Sequence, residues 1–189
     1  VVAATPAGAH ELPAGGALDG LAHPVLGLDH LLAMVAVGVL AALVATRSAT
    51  GSTRPAWRVP AAFVVGMVAG GAVGLAGVGF PGVEWVIGGS VVAFGALVAS
   101  GLSRGVAGRP ALALVALALV VGAAHGHAHG TEAPAGATTA LYVAGFVAAT
   151  AALHLVGTVV GLALGRSERA RVAAGTGVAA LGAVLLVGG

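Results

Sequence analysis

Six apolar runs, roughly 22–45, 60–79, 83–103, 110–127, 138–164 and 170–189, take up nearly the whole chain. A helix crosses the hydrocarbon core of a bilayer with about 20 mainly apolar residues, so each run has the length of a spanning segment. With 59% hydrophobic and 7% charged residues and a mean hydropathy of +1.08, the chain cannot clothe a water-facing surface; a soluble domain carries about 25% charged residues. The runs are continuous rather than alternating, which argues against a transmembrane β-barrel. The expected fold is an all-α integral membrane protein, a compact bundle of about six transmembrane helices forming one domain over residues 22–189.

All eight basic residues are arginines. Arg47, Arg54 and Arg58 fall between the first and second runs, Arg104 and Arg109 between the third and fourth, and Arg166, Arg169 and Arg171 between the fifth and sixth. The other connections, around Gly79-Phe80-Pro81-Gly82 and over 126–137, contain none. The positive-inside rule then puts the three basic loops in the cytoplasm and both termini outside, as expected of a multi-pass protein of a bacterial cytoplasmic membrane. Residues 1–21 read as an extracytoplasmic segment, in which Ala7-Gly8-Ala9 has the A-x-A form of a signal-peptidase site and 1–9 the character of a leader remnant or a small-residue linker. His10 and Glu11 would add an external ligand if His10 were the mature terminus. The pI near 10.5 accompanies a net charge of only +2, and the loop arginines account for it without a nucleic-acid partner. Cysteine is absent, which removes disulfides and thiolate sites. No nucleotide-binding motif is present, so the chain by itself is no ATP-driven pump.

Gly66, Gly70 and Gly74 recur at four-residue spacing in the second run, and Gly157 and Gly161 in the fifth. Small residues at this spacing let membrane helices approach closely. Packing is sufficient reason for them, and among 33 glycines an isolated match carries little weight.

Ionisable residues inside spans are costly and are functional candidates by default. The first run opens with His23, Asp29 and His30; the two histidines are seven apart, about two turns and one face of a regular helix. Pro24 and Gly27 can loosen that first turn, and Asp29 serves equally as a helix cap or as an orienting group for His30. The fourth run ends in His125-Gly126-His127-Ala128-His129-Gly130-Thr131-Glu132. If the helix continues so far, His125, His129 and Glu132 form one stripe and His127 faces away. Two imidazoles and a carboxylate on one face suit a divalent metal, while a His-rich surface loop that chelates casually is the bland counterpart. Glu84 opens the third run, and His154 lies inside the fifth, where a lone histidine can simply bond to a neighbouring helix. The topology, drawn without these residues, collects His23, Asp29, His30, Glu84, His125, His129 and Glu132 at the outer face, with His154 deeper.

Imidazole and carboxylate without sulfur suit Ni²⁺, Co²⁺, Zn²⁺ or Cu²⁺; Met34 and Met67 are the only thioethers, and Mg²⁺ and Ca²⁺ prefer all-oxygen sites. The stretch from His23 to Gly38 resembles the signature of the HupE/UreJ family, small membrane proteins linked to hydrogenases and ureases and regarded as secondary nickel or cobalt permeases. Its motif H-x5-D-H is matched by His23, Asp29 and His30, and its motif F-H-G-x-[AV]-H-G-x-E by His125, Gly126, Ala128, His129, Gly130 and Glu132. Ala124 departs from the pattern where the family has Phe, which affects local packing rather than the ligand set.

The resemblance implies a permease for nickel or cobalt, with the metal as cargo, no resident cofactor and no catalysis. His23, Asp29, His30, His125, His129 and Glu132 are the expected metal residues, with Glu84 and His154 supporting or along the path. An intramembrane zinc hydrolase, a bis-histidine haem protein using His30 and His154, and a metal-binding membrane protein without transport are the competing readings. Oligomeric state is not legible, and no repeat between the halves indicates alternating access.

Overall fold

The computed structural model describes residues 16–45, 57–102, 104, 109–133 and 138–188. The expectations for 1–9, His10 and Glu11, and for Arg47 and Arg54, lie outside the described residues. Described are seven helices and no strand: α1 (Ala17–Leu26), α2 (Leu28–Ala45), α3 (Arg58–Leu75), α4 (Val83–Ser100), α5 (Arg109–Glu132), α6 (Thr139–Leu164) and α7 (Glu168–Gly188). Six of them, α2 to α7, are long and apolar enough to cross a membrane.

The first run is two helices rather than one. Pro24 has no N–H to continue the ladder, and Gly27 turns to an extended backbone (φ −80°, ψ 112°), so this single residue separates α1 from α2. With ten residues, α1 is too short to span. His23 and His30 therefore lie on different helices, not on one face of one helix. At the other motif the helix does continue: α5 has 24 residues and carries the histidines in its last two turns.

Glycine sets the pairing of the spans. Gly66, Gly70 and Gly74 of α3 lie on the backbone of α5 at Leu119, Ala123 and His127, while Gly122, Gly126 and Gly130 of α5 lie on α3 at Phe63, Met67 and Gly71. A Cβ at any of the six would come within 1.9–2.3 Å of a carbonyl oxygen, far inside van der Waals contact. Gly38, Gly157 and Gly161 join α2 to α6 in the same manner, Gly95 and Gly175 join α4 to α7, and Gly20 and Gly145 seat α1 on α6. Such contact replaces the hydrophobic drive that lipid cannot supply.

The helix at the centre is α2, buried almost continuously from Ala33 to Val44 against Phe63, Phe94 and Phe146. Leu155 and Val159 of α6 and Val184 of α7 are exposed, as lipid-facing positions are. The arginines of the opposite end are partly structural. Buried Arg171 donates to the carbonyls of Val98 and Ala99 at the C-terminus of α4, and Arg104 donates to Gly165 O at the end of α6 (3.3 Å). Both place a cation at the negative end of a helix.

Candidate metal centre

Because the spans alternate in direction, the start of α2, α4 and α6 and the end of α3 and α5 share one end of the bundle. Each polar motif is placed there by its position along its helix. His125, His129 and Glu132 follow one another at the end of α5, Asp29 and His30 occupy the first turn of α2, and α1 brings His23 across.

His23, His129 and Glu132 each offer a ligand atom, and the three atoms lie within 4.8 Å of one another. Glu132 Oε2 is 3.5 Å from His23 Nε2 and 3.8 Å from His129 Nδ1. His30 and His125 adjoin them: the His30 ring centroid is 4.3 Å from that of His129 and 5.0 Å from that of His125, and His23 is 4.6 Å from His129. The four imidazoles thus form a chain of contacts in the order His23, His129, His30, His125. His129 and His125 are buried, whereas Glu132 is exposed at the mouth.

The hydrogen bonds decide which nitrogens are available. His30 Nδ1–H donates to Asp29 Oδ1 at 2.8 Å, and the same oxygen accepts the His30 backbone N–H. His30 Nε2 is buried with no hydrogen-bond partner. Asp29 Oδ1 thereby fixes the orientation and tautomer of His30, and a carboxylate partner of this kind raises the basicity of an imidazole. His125 Nδ1–H donates to Val121 O at 2.9 Å, which again leaves Nε2 as a buried lone pair without a partner. Neither nitrogen of His129 has a hydrogen-bond partner. Buried polar atoms are rarely left unpaired, and here the orphans converge.

His127 faces away, as its place on the helix predicts. Its Nε2–H donates to Val78 O at 2.6 Å and its ring meets Phe80, so it ties the α3–α4 connection to α5. Glu84, exposed in the first turn of α4, lies within electrostatic reach of His30, Asp29 and Glu132 but outside the ligand triplet. His154 is buried in α6, away from the cluster and against Phe63 (5.3 Å between centroids); it and His30 are on separate layers, which removes the paired axial geometry of a haem.

Sequence reasoning missed the aromatic wall. Phe146 lies 4.3 Å from His129 and Tyr142 5.9 Å from His23, both on α6 one turn apart. His129 and both aromatics also line an apolar crevice of about 190 Å³ that reaches Met67 and Gly71. An aromatic pair at i, i+4 in an aromatic-poor span was the available signal.

The family model described as HupE / UreJ protein matches residues 1–185. The chain belongs to the HupE/UreJ family. It is 43% identical over 185 residues to Protein HupE of Rhizobium leguminosarum bv. viciae, a match covering 94% of this chain and 87% of that protein. No solved structure matches the chain. Membership makes it a multi-pass membrane protein of a nickel/cobalt transport-associated family and not an enzyme.

Proposed function

We propose that the chain is a secondary permease that takes up Ni²⁺ or Co²⁺ from the extracytoplasmic side of a bacterial cytoplasmic membrane. The observation that carries this reading is the convergence of His23, His129 and Glu132 within 4.8 Å, beside the unpartnered nitrogens of His30 and His125. Three ligands of mixed nitrogen and oxygen type match borderline divalent ions. Asp29 holds His30 toward the ion, and Glu84 adds negative charge at the entrance. Glu132 is exposed and the histidines behind it are increasingly buried, so an ion arriving from water exchanges its hydration shell in stages. An inside-negative potential favours inward movement of a divalent cation by about 4.6 kcal/mol per 100 mV, twice the unit-charge value. That drive needs no ATPase.

The test is uptake into proteoliposomes with Ni²⁺, Co²⁺, Zn²⁺ and Cu²⁺ in turn, under a potential negative on the side of the arginine loops. Uptake of Ni²⁺ or Co²⁺ that is lost in His129→Ala is the expected result. Tight binding without uptake of any ion would replace the permease with a metal-binding protein that does not transport. Affinity should fall as the pH is lowered, because protons then compete with the ion for the same imidazole lone pairs. A titration at several pH values checks the direction.

A further inference from the structure

Inward of the cluster, α3 and α6 face one another with a second set of capable side chains that the outer centre does not use. His154 is 3% exposed, and its Nε2 is buried with no hydrogen-bond partner. One turn away on α6, fully buried Thr150 donates its hydroxyl to Met67 Sδ at 3.6 Å. Met67 and Phe63 are one turn apart on α3, and the Phe63 ring stands edge-on to His154. The same ring is 5.4 Å from His125. His30, His125, Phe63 and His154 therefore form a file of rings with successive centroid separations of 5.0, 5.4 and 5.3 Å. Three of the four are imidazoles with an orphaned Nε2.

A buried imidazole nitrogen without a partner is costly, because nothing replaces the water its lone pair has lost. His127, which bonds the Val78 carbonyl through Nε2, keeps an unpartnered Nδ1 as well, so it is the place of His154 in the file of rings, together with its orphaned nitrogen, that points to a ligand position. We propose that His154 is an inner metal-binding position, a transient station for a borderline divalent ion, with the Thr150–Met67 pair one helical turn away and the Phe63 ring between it and His125 of the outer cluster. Its role in transit rests on the permease reading; its binding of metal does not. One imidazole beside a thioether and a hydroxyl makes a weaker site than the outer cluster, and a path needs positions that an ion can leave.

The absence of cysteine allows a direct test. In His154→Cys the new thiol is the only one, so a near-ultraviolet thiolate-to-cobalt charge-transfer band reports Co²⁺ at position 154 and nowhere else. The band is expected in His154→Cys and not in Leu155→Cys, whose side chain faces lipid. A folded His154→Cys protein without the band at saturating Co²⁺ overturns the proposal. In proteoliposomes, His154→Gln should keep its equilibrium affinity for Ni²⁺ within about twofold while uptake falls at least ~10-fold, the mark of an interaction made after binding. Uptake at the wild-type rate overturns the relay, and this arm decides alone if the thiol variant does not fold. A band in His154→Cys together with no uptake by the wild type supports the inner position and removes the permease reading instead.

Discussion

At the scale of single residues, the pair Asp29–His30 shows how neighbours in sequence come to act together. On a regular helix, adjacent side chains point about 100° apart. Here the pair sits in the first turn of α2, and Asp29 folds back to accept both the backbone N–H and the ring N–H of His30. Gly27 leaves room for this: a Cβ there would lie 3.0 Å from His30 Nδ1 and 3.2 Å from Asp29 Oδ1. Asp29→Asn keeps the shape and removes the charge that raises the basicity of the imidazole. Its Ni²⁺ affinity should fall by roughly 10–100-fold, the usual cost of losing an outer carboxylate partner. Calorimetric titration of the purified protein reads this directly, and an unchanged affinity would mean that His30 needs no orienting group.

At the scale of helices, the motif His125-Gly126-His127-Ala128-His129-Gly130 does two jobs. Its histidines face the cluster or the α3–α4 connection, while Gly126 and Gly130 continue a packing stripe begun at Gly122. The glycine stripe of α3 is visible in its spacing. That of α5 is masked, because the same residues read first as a metal motif. Close packing on α3 is what holds the backbone of α5 in place beneath its histidines. Gly70→Ala, with a Cβ 1.9 Å from Ala123 O, should lower stability by about 1–3 kcal/mol through overpacking. Gly177→Ala, which meets nothing within 4 Å, should fall by less than about 0.5 kcal/mol. Unfolding of both variants in detergent compares them, and equal losses would show that the close approach of α3 and α5 is not limiting. The arginines that orient the chain also serve individual helices, since Arg171 and Arg104 satisfy terminal carbonyls of α4 and α6.

At the scale of the whole molecule, polar ligands occupy one end of the bundle and arginines the other. Our proposal, on the positive-inside rule, is that the cluster end is extracytoplasmic. In a chain without cysteine, Gly79→Cys in the α3–α4 connection and Ser167→Cys before α7 report the two ends separately. Gly79→Cys should react with an impermeant thiol reagent on intact spheroplasts, and Ser167→Cys only after lysis. The reverse pattern would make the cluster a cytoplasmic one and turn uptake into export. The same layout suits the proposed permease: an exposed carboxylate at one end, buried imidazoles behind it, and closely packed helices around them.

The number of spanning segments, the all-α class and the apolar character of the surface were legible in the sequence, because a bilayer imposes its thickness and its lack of hydrogen-bonding partners on every spanning segment. The two motifs were legible too, since ionisable groups stand out against residues that are almost all apolar. What only the tertiary structure decided is which groups meet. The break at Gly27 turned one expected span into α1 and α2 and carried His23 to His129 and Glu132. The wall of Tyr142 and Phe146 and the file through Phe63 to His154 depend on how α6 rests on α1, α2 and α3. Periodicity along one helix reveals which residues share a face. The partner of that face depends on backbone contact between segments far apart in the chain, and glycine allows that contact at many positions without naming the partner.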